Sequence, residues 1–203
     1  MRSKTELLKL YDAHEEFKLS AEENAILEKA IRERTIKNGS EKIIEEARRE
    51  NWEEIAHLGQ FHFELMPYAF IFYDKFPEEL QRRFALGCYM HHGDSLGCCR
   101  AAVRKLDKRG LQELPKAEAS KEEIVIYRAG EEEESKAKYR LSWTISKDIA
   151  LWFYNHPTHR AKYLYRAKIK PCDVIAFLDD RKEKEVLQYR KIYGLEVLKR
   201  AEL

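Results

Sequence analysis

The hydrophobic period of this chain changes once, near residue 121, and no other feature constrains its fold as much. Before that point apolar residues recur at three- and four-residue spacings, which is the pattern of amphipathic helices. After it they alternate, as in strands with one face buried. Helices first and strands after imply an α+β architecture rather than an alternating parallel sheet. The boundaries read as an all-helical lobe over residues 1–113 and a β-rich core over residues 121–203, together forming one compact unit.

Within the helical part, Leu7, Leu10, Tyr11, His14 and Phe17 share one face. Ser20 followed by Glu23 is a capping box that opens a second helix through Ile26, Ala30 and Ile31. Asn38-Gly39 reads as its end, with Ser40 capping a third helix that carries Ile43, Ile44, Ala47 and Ile55. The stretch from His57 to Tyr73 is dense in apolar and aromatic residues and reads as a central buried helix, kinked or broken by Pro67. In that reading Phe61, Phe63, Tyr68 and Phe72 form a core stripe, and His57 and His62 are core or boundary histidines. Pro77 starts a helix through Leu80, Phe84 and Leu86. Asp94 or Ser95 then caps one running to Arg109 and closed by Gly110, and Leu114 to Lys121 is a connector. Six strands follow, over residues 123–128, 139–143, 163–169, 173–178, 184–189 and 195–199. A helix capped by Ser146, with Ile149, Trp152 and Phe153 on one face, interrupts them.

A net charge of +2 exerts no strong pull toward polyanions, so a nucleic-acid partner is neither indicated nor excluded. No stretch approaches the roughly 20 apolar residues a membrane span needs, and the first residues lack the apolar core of a secretory signal. Cys88, Cys98, Cys99 and Cys172 follow no disulfide or Cys-x-x-Cys spacing, which points to a reduced, cytoplasmic protein. His91 and His92, with cysteines nearby, match no usual zinc spacing, so no metal site is expected there. The basic residues Lys162, Arg166 and Lys168 read as a solvated strand face.

The residues suited to chemistry sit at strand ends: Arg128, then Ser142-Trp143-Thr144, then Glu183 and Glu185. An arginine offers a fixed fork for phosphate or carboxylate. A serine can orient a neighbouring carboxylate, and a pair of glutamates can stabilise a developing cation and take a proton. Glu183 and Glu185 are two positions apart, so on one strand they would project from the same face. Such parts suit the splitting of an N-glycosidic bond in a phosphate-bearing ligand, where an oxocarbenium-like transition state needs negative charge close by.

Tyr127-Arg128-Ala129-Gly130, Ser142-Trp143-Thr144 and Glu183-Lys184-Glu185-Val186-Leu187, in that order, resemble the arginine, serine and Glu-x-Glu signatures of the mono-ADP-ribosyltransferases. The resemblance covers residues 121–203, and the whole chain is similar in character to proteins carried by bacteriophages and prophages. It implies a helical lobe packed on a split, mainly antiparallel sheet. It also implies that NAD is the substrate, with ADP-ribose passed to a macromolecular acceptor: arginine on a host protein, or nucleic acid. By resemblance, Arg128 holds the NAD phosphate and ribose, and Gly130 leaves backbone free for the nicotinamide amide. Ser142 orients the catalytic Glu185, which stabilises the ribose cation, and Glu183 serves the acceptor. Trp143 is expected near nicotinamide, Thr144 begins the turn into the next helix, and Thr144, His92 and Asp94 are expected to contribute to cofactor binding. The sequence departs from the family pattern in placing Ser142 only 14 positions after Arg128, and in reading Ser-Trp-Thr rather than the commoner Ser-Thr-Ser. The loop before the acids, Asp179 to Lys182, is short. Two other readings keep the fold: an NAD glycohydrolase using water as acceptor, and a non-catalytic phage-type module that binds a host protein or a nucleotide.

Overall fold

In the computed structural model, residues 2–13, 19–93, 97–106 and 110–201 are described. The chain forms two compact units, Met1–Gly93 and Asp94–Leu203. The expected lobe, residues 1–113, therefore spans the first unit and the opening helices of the second.

The first unit is helical. Helix α1 (Lys4–Asp12) and helix α2 (Ala21–Arg48) each begin with a capping box, Ser3 with Glu6 and Ser20 with Glu23. His14 and Phe17, assigned to the first helix face, lie outside the described residues. Glu23 also receives the Arg2 guanidinium and backbone N–H. Those hydrogen bonds hold its carboxyl down at about 2, so the start of α2 is tied to the residues before α1.

Helix α2 does not end at Asn38-Gly39. It runs 28 residues through both, and Ser40 caps nothing, its hydroxyl donating back to the Lys37 carbonyl. An added Cβ at Gly39 would overlap the Leu65 side chain, so this glycine serves close packing and not a turn. Helices α3 (Trp52–Phe61) and α4 (Met66–Phe70) replace the expected central helix; the break falls at His62, and Pro67 sits in the first turn of α4, where its missing N–H costs nothing.

The expected aromatic stripe is also corrected. Phe61, Phe63 and Tyr68 are exposed, and the buried positions are Leu58, Leu65, Met66, Ala69 and Tyr73. With the helix broken, a single helical face no longer runs through the segment. A 3-10 turn (Tyr73–Lys75) leads to helix α5 (Glu78–His92) after Pro77. Tyr73, Phe76 and Phe84 meet at centroid distances of 5.4–6.2 Å. Burial of side chains of this size stabilises by about 1.5–3 kcal/mol each.

The second unit opens with helices α6 (Gly97–Lys105), α7 (Gly110–Glu113) and α8 (Lys116–Ala119). The expected cap at Asp94 or Ser95 and the helix end at Arg109 lie outside the described residues. Gly110 begins a helical turn instead of closing one. That turn is pinned to the sheet, because the Glu113 carboxylate accepts from the Phe177 N–H at 2.9 Å.

The strands are β1 (Ile124–Gly130), β2 (Ser142–Thr144), β3 (Tyr163–Ile169), β4 (Ala176–Leu178), β5 (Glu185–Leu187) and β6 (Tyr193–Arg200), in the spatial order β4-β5-β2-β1-β3-β6. Every described pairing is antiparallel. The architecture is thus α+β, helices first and a six-stranded antiparallel sheet after. The sheet has a waist. Strands β1 and β3 pair along their whole length, from Ile124↔Ile169 to Gly130↔Tyr163, whereas β1 meets β2 at one paired position, Tyr127↔Thr144. Helix α9 (Glu134–Ala137), a single turn, joins β1 to β2, and helix α10 (Lys147–Asn155), capped by the Ser146 hydroxyl, joins β2 to β3. Ile124, Ile126, Trp143, Tyr165, Ala167, Ile169 and Val186 form the core of this unit. On β3, Arg166 pairs with Glu196 and Lys168 with Glu123, so both are neutralised locally.

Candidate active site

The waist between β1 and β2 leaves room for a side chain, and Arg128 takes it. Its Nη1 donates to the Ser142 carbonyl at 2.9 Å, bridging the two halves of the sheet where backbone pairing is thinnest. Ser142 opens β2, and its hydroxyl donates to Glu185 Oε1. The register of β2 on β5 makes this reach possible, since Ser142 opposes Leu187 and Thr144 opposes Glu185. Glu185 is 4% exposed. Its second oxygen accepts from Arg181 Nη2 at 3.1 Å. Arg128, Ser142 and Glu185 are therefore joined in one chain of contacts.

Glu183 is not on a strand. Lys182 and Lys184 have φ of 57° and 47°, so the backbone turns in the left-handed region on either side of it. The alternation that would put Glu183 and Glu185 on one face is broken, and β5 starts only at Glu185. Asp179 closes the turn: its Oδ1 accepts from the Lys184 N–H at 3.1 Å, and its carbonyl accepts from the Lys182 N–H at 2.8 Å. The two glutamates still converge, because Arg181 Nη2 lies 3.0 Å from Glu183 Oε2 and 3.1 Å from Glu185 Oε2. Burial raises the Glu183 carboxyl above its ordinary value; Arg181 pulls it down, Glu185 pushes it up, and His159 pulls it down.

Beside Arg128 a cavity of about 740 Å³ opens, lined by Gly130, Glu132, Lys136, Arg140, Phe153 and His159 among others. That volume lies in the range of small-molecule sites. Glu132 occupies one wall: its Oε1 lies 2.6 Å from Arg140 Nη2 and 3.5 Å from Arg128 Nη2. The Tyr165 hydroxyl donates to the Glu132 backbone carbonyl. Burial pushes that phenol up to about 12, so it remains a donor at neutral pH.

Four sequence-derived assignments have other surroundings. Trp143 is fully buried in the sheet core with its Nε1 donating to the Arg140 carbonyl at 3.2 Å, so it is not placed to stack on a ligand. Thr144 is a clamp, donating to the Glu183 carbonyl at 2.7 Å and accepting from the Ser146 N–H at 3.0 Å. The space over Gly130 holds the Glu132 carboxylate, with which an added Cβ would overlap. His92 ends α5, its ring edge-on to Phe63 at 5.5 Å. Asp94 lies outside the described residues.

Arg181, Arg140 and His159 take part in this geometry without having been singled out, whereas the acidic run Glu131 to Glu134 offers Arg128 a partner across the turn in the sequence itself, and Glu132 takes that place. Arg181 stands two residues before Glu183, and a cation that close to a pair of acids was the available signal. No family model, curated protein or solved structure matches the chain.

Proposed function

We propose that the chain is an NAD-dependent mono-ADP-ribosyltransferase. The observation that carries the reading is the contact chain from Arg128 through Ser142 to a buried Glu185, whose Arg128 end lines a cavity of about 740 Å³. In the proposed reaction the bond between ribose C1′ and the nicotinamide ring nitrogen breaks, and its electron pair leaves on that nitrogen, releasing neutral nicotinamide. The cation that develops at C1′ lies against the Glu185 carboxylate, held in place by Ser142 and Arg181. A preorganised negative charge opposite a developing positive one lowers the barrier because no reorganisation is needed at the moment of reaction. The acceptor nucleophile forms the new bond to C1′, and its proton passes to Glu183. Burial makes Glu183 a stronger base than an exposed carboxylate, which suits that step.

The acceptor assigned by this reading is an arginine of a host protein. Four cysteines in no disulfide spacing suit a reducing compartment, and the proposed setting is the cytoplasm of a bacterial or phage-infected cell. The loop before the acids, Asp179 to Lys182, is short, which favours water as a second acceptor and hence NAD hydrolysis at the same site.

Glu185→Gln keeps size and removes charge. Nicotinamide release from NAD is expected to fall by a factor of about 10² or more, while NAD affinity by calorimetry changes by less than about threefold. Release at the wild-type rate in this variant would remove the reading. Incubation with NAD and cell extract, followed by mass spectrometry, separates a macromolecular adduct from free ADP-ribose.

A further inference from the structure

The cleft beside Arg128 holds an anion already, and it is the protein's own. Glu132 Oε1 sits 2.6 Å from Arg140 Nη2 and 3.5 Å from Arg128 Nη2, with Lys136 also on the cavity wall. The fit is incomplete on both sides. Glu132 Oε2 and Arg128 Nε are buried, and neither has a hydrogen-bond partner among the described residues. A buried polar atom left unpaired loses its hydration without a replacement, so this carboxylate is not the best occupant of the cradle. The missing side chain at Gly130 makes the space into which Glu132 folds.

We propose that Glu132 is a built-in competitor, its carboxylate standing where the diphosphate of a dinucleotide binds between Arg128 and Arg140. A diphosphate brings more acceptor oxygens than one carboxylate, enough to reach Arg128 Nε as well as both guanidinium ends. Once displaced, Glu132 Oε2 recovers hydration. Displacement needs only side-chain rotation, because the Tyr165 hydroxyl fastens the Glu132 backbone carbonyl. The neighbouring Glu131 and Glu133 are exposed at the rim, where solvent weakens their repulsion of an incoming anion. A tethered competitor acts at high effective concentration, so the cleft rejects weak anions and opens to those that satisfy both arginines. The inference rests on the reading above for the ligand being a dinucleotide, and on the cleft alone for its diphosphate chemistry.

Inorganic pyrophosphate, titrated by calorimetry into the full chain, separates the two. Glu132→Gln, which removes the competing charge, is expected to bind pyrophosphate about tenfold more tightly than wild type. Glu132→Asp is one methylene too short to meet both arginines; it is expected to shift the same way and serves if the glutamine variant does not fold. Arg140→Gln, which removes half the cradle, is expected to bind about tenfold more weakly. Equal or weaker pyrophosphate binding in the Glu132 variants would overturn the proposal, whatever the enzyme does with NAD. Tighter binding without nicotinamide release by any variant would uphold the competitor and remove the transferase reading instead.

Discussion

Glu183 and Glu185 show how one backbone torsion separates two residues that look equivalent. Lys184, in the left-handed region between them, leaves Glu185 buried in β5 and Glu183 on the preceding turn. Lysine is not a residue that announces this conformation, as glycine or asparagine would, so the same-face reading was the natural one and the turn was hidden. Arg181 restores the convergence by touching both carboxylates. The Glu183 carboxyl stands above its ordinary 4.5 because burial disfavours its charge, and Arg181 works against that rise. Arg181→Gln is therefore expected to lift the Glu183 midpoint further, measured by carbon NMR of the side-chain carboxyl across an acid titration. Arg181 is half-exposed, so the extra rise is modest and shrinks with added salt. The sign for stability follows: a carboxyl raised in the fold contributes most at low pH, and its contribution falls as pH climbs through the folded midpoint. A midpoint that Arg181→Gln leaves unchanged would mean that the guanidinium does not act on Glu183 in solution.

At the scale of elements, what could be read depended on whether the signal was local. Capping at Ser20 and Ser146 was legible because a hydroxyl three residues from its N–H partner is a local arrangement. The extent of strand β3 was legible from alternation over its seven residues, whereas β1 runs two residues past Arg128, through Ala129 and Gly130, where the alternation fades. Helix α2 was not, since Asn38-Gly39 carries the ordinary mark of a helix end, and only Leu65, 26 positions later in sequence, explains why a glycine is needed there. This can be measured. In an exposed mid-helix position Gly→Ala stabilises by about 1 kcal/mol. Gly39→Ala is instead expected to destabilise by about 1–3 kcal/mol, because its Cβ overlaps Leu65. Denaturant unfolding decides between the two signs, and stabilisation would show that α2 and Leu65 are not packed this closely. The aromatic stretch after His57 failed for a related reason. Its break at His62 rotated Phe61 and Phe63 outward, and composition alone cannot show where such a break falls.

For the whole molecule, the switch of hydrophobic period was enough to order helices before an antiparallel sheet, because burial pattern is what distinguishes the two kinds of element. The strand order β4-β5-β2-β1-β3-β6 was beyond reach, since it depends on pairings between distant segments. That order is what makes the site. It sets Ser142 of β2 between Arg128 of β1 and Glu185 of β5, segments 14 and 43 positions away from it in sequence. Trp143, next to Ser142 in the sequence, points instead into the core, as alternation along a strand requires. The most direct test of the account is a crystal structure of the full chain with NAD bound, using Glu185→Gln to halt turnover. The account places the diphosphate between Arg128 and Arg140, with the Glu132 side chain swung away and the nicotinamide ribose against residue 185. NAD bound elsewhere, or bound in this cleft with that ribose turned away from residue 185, would contradict it.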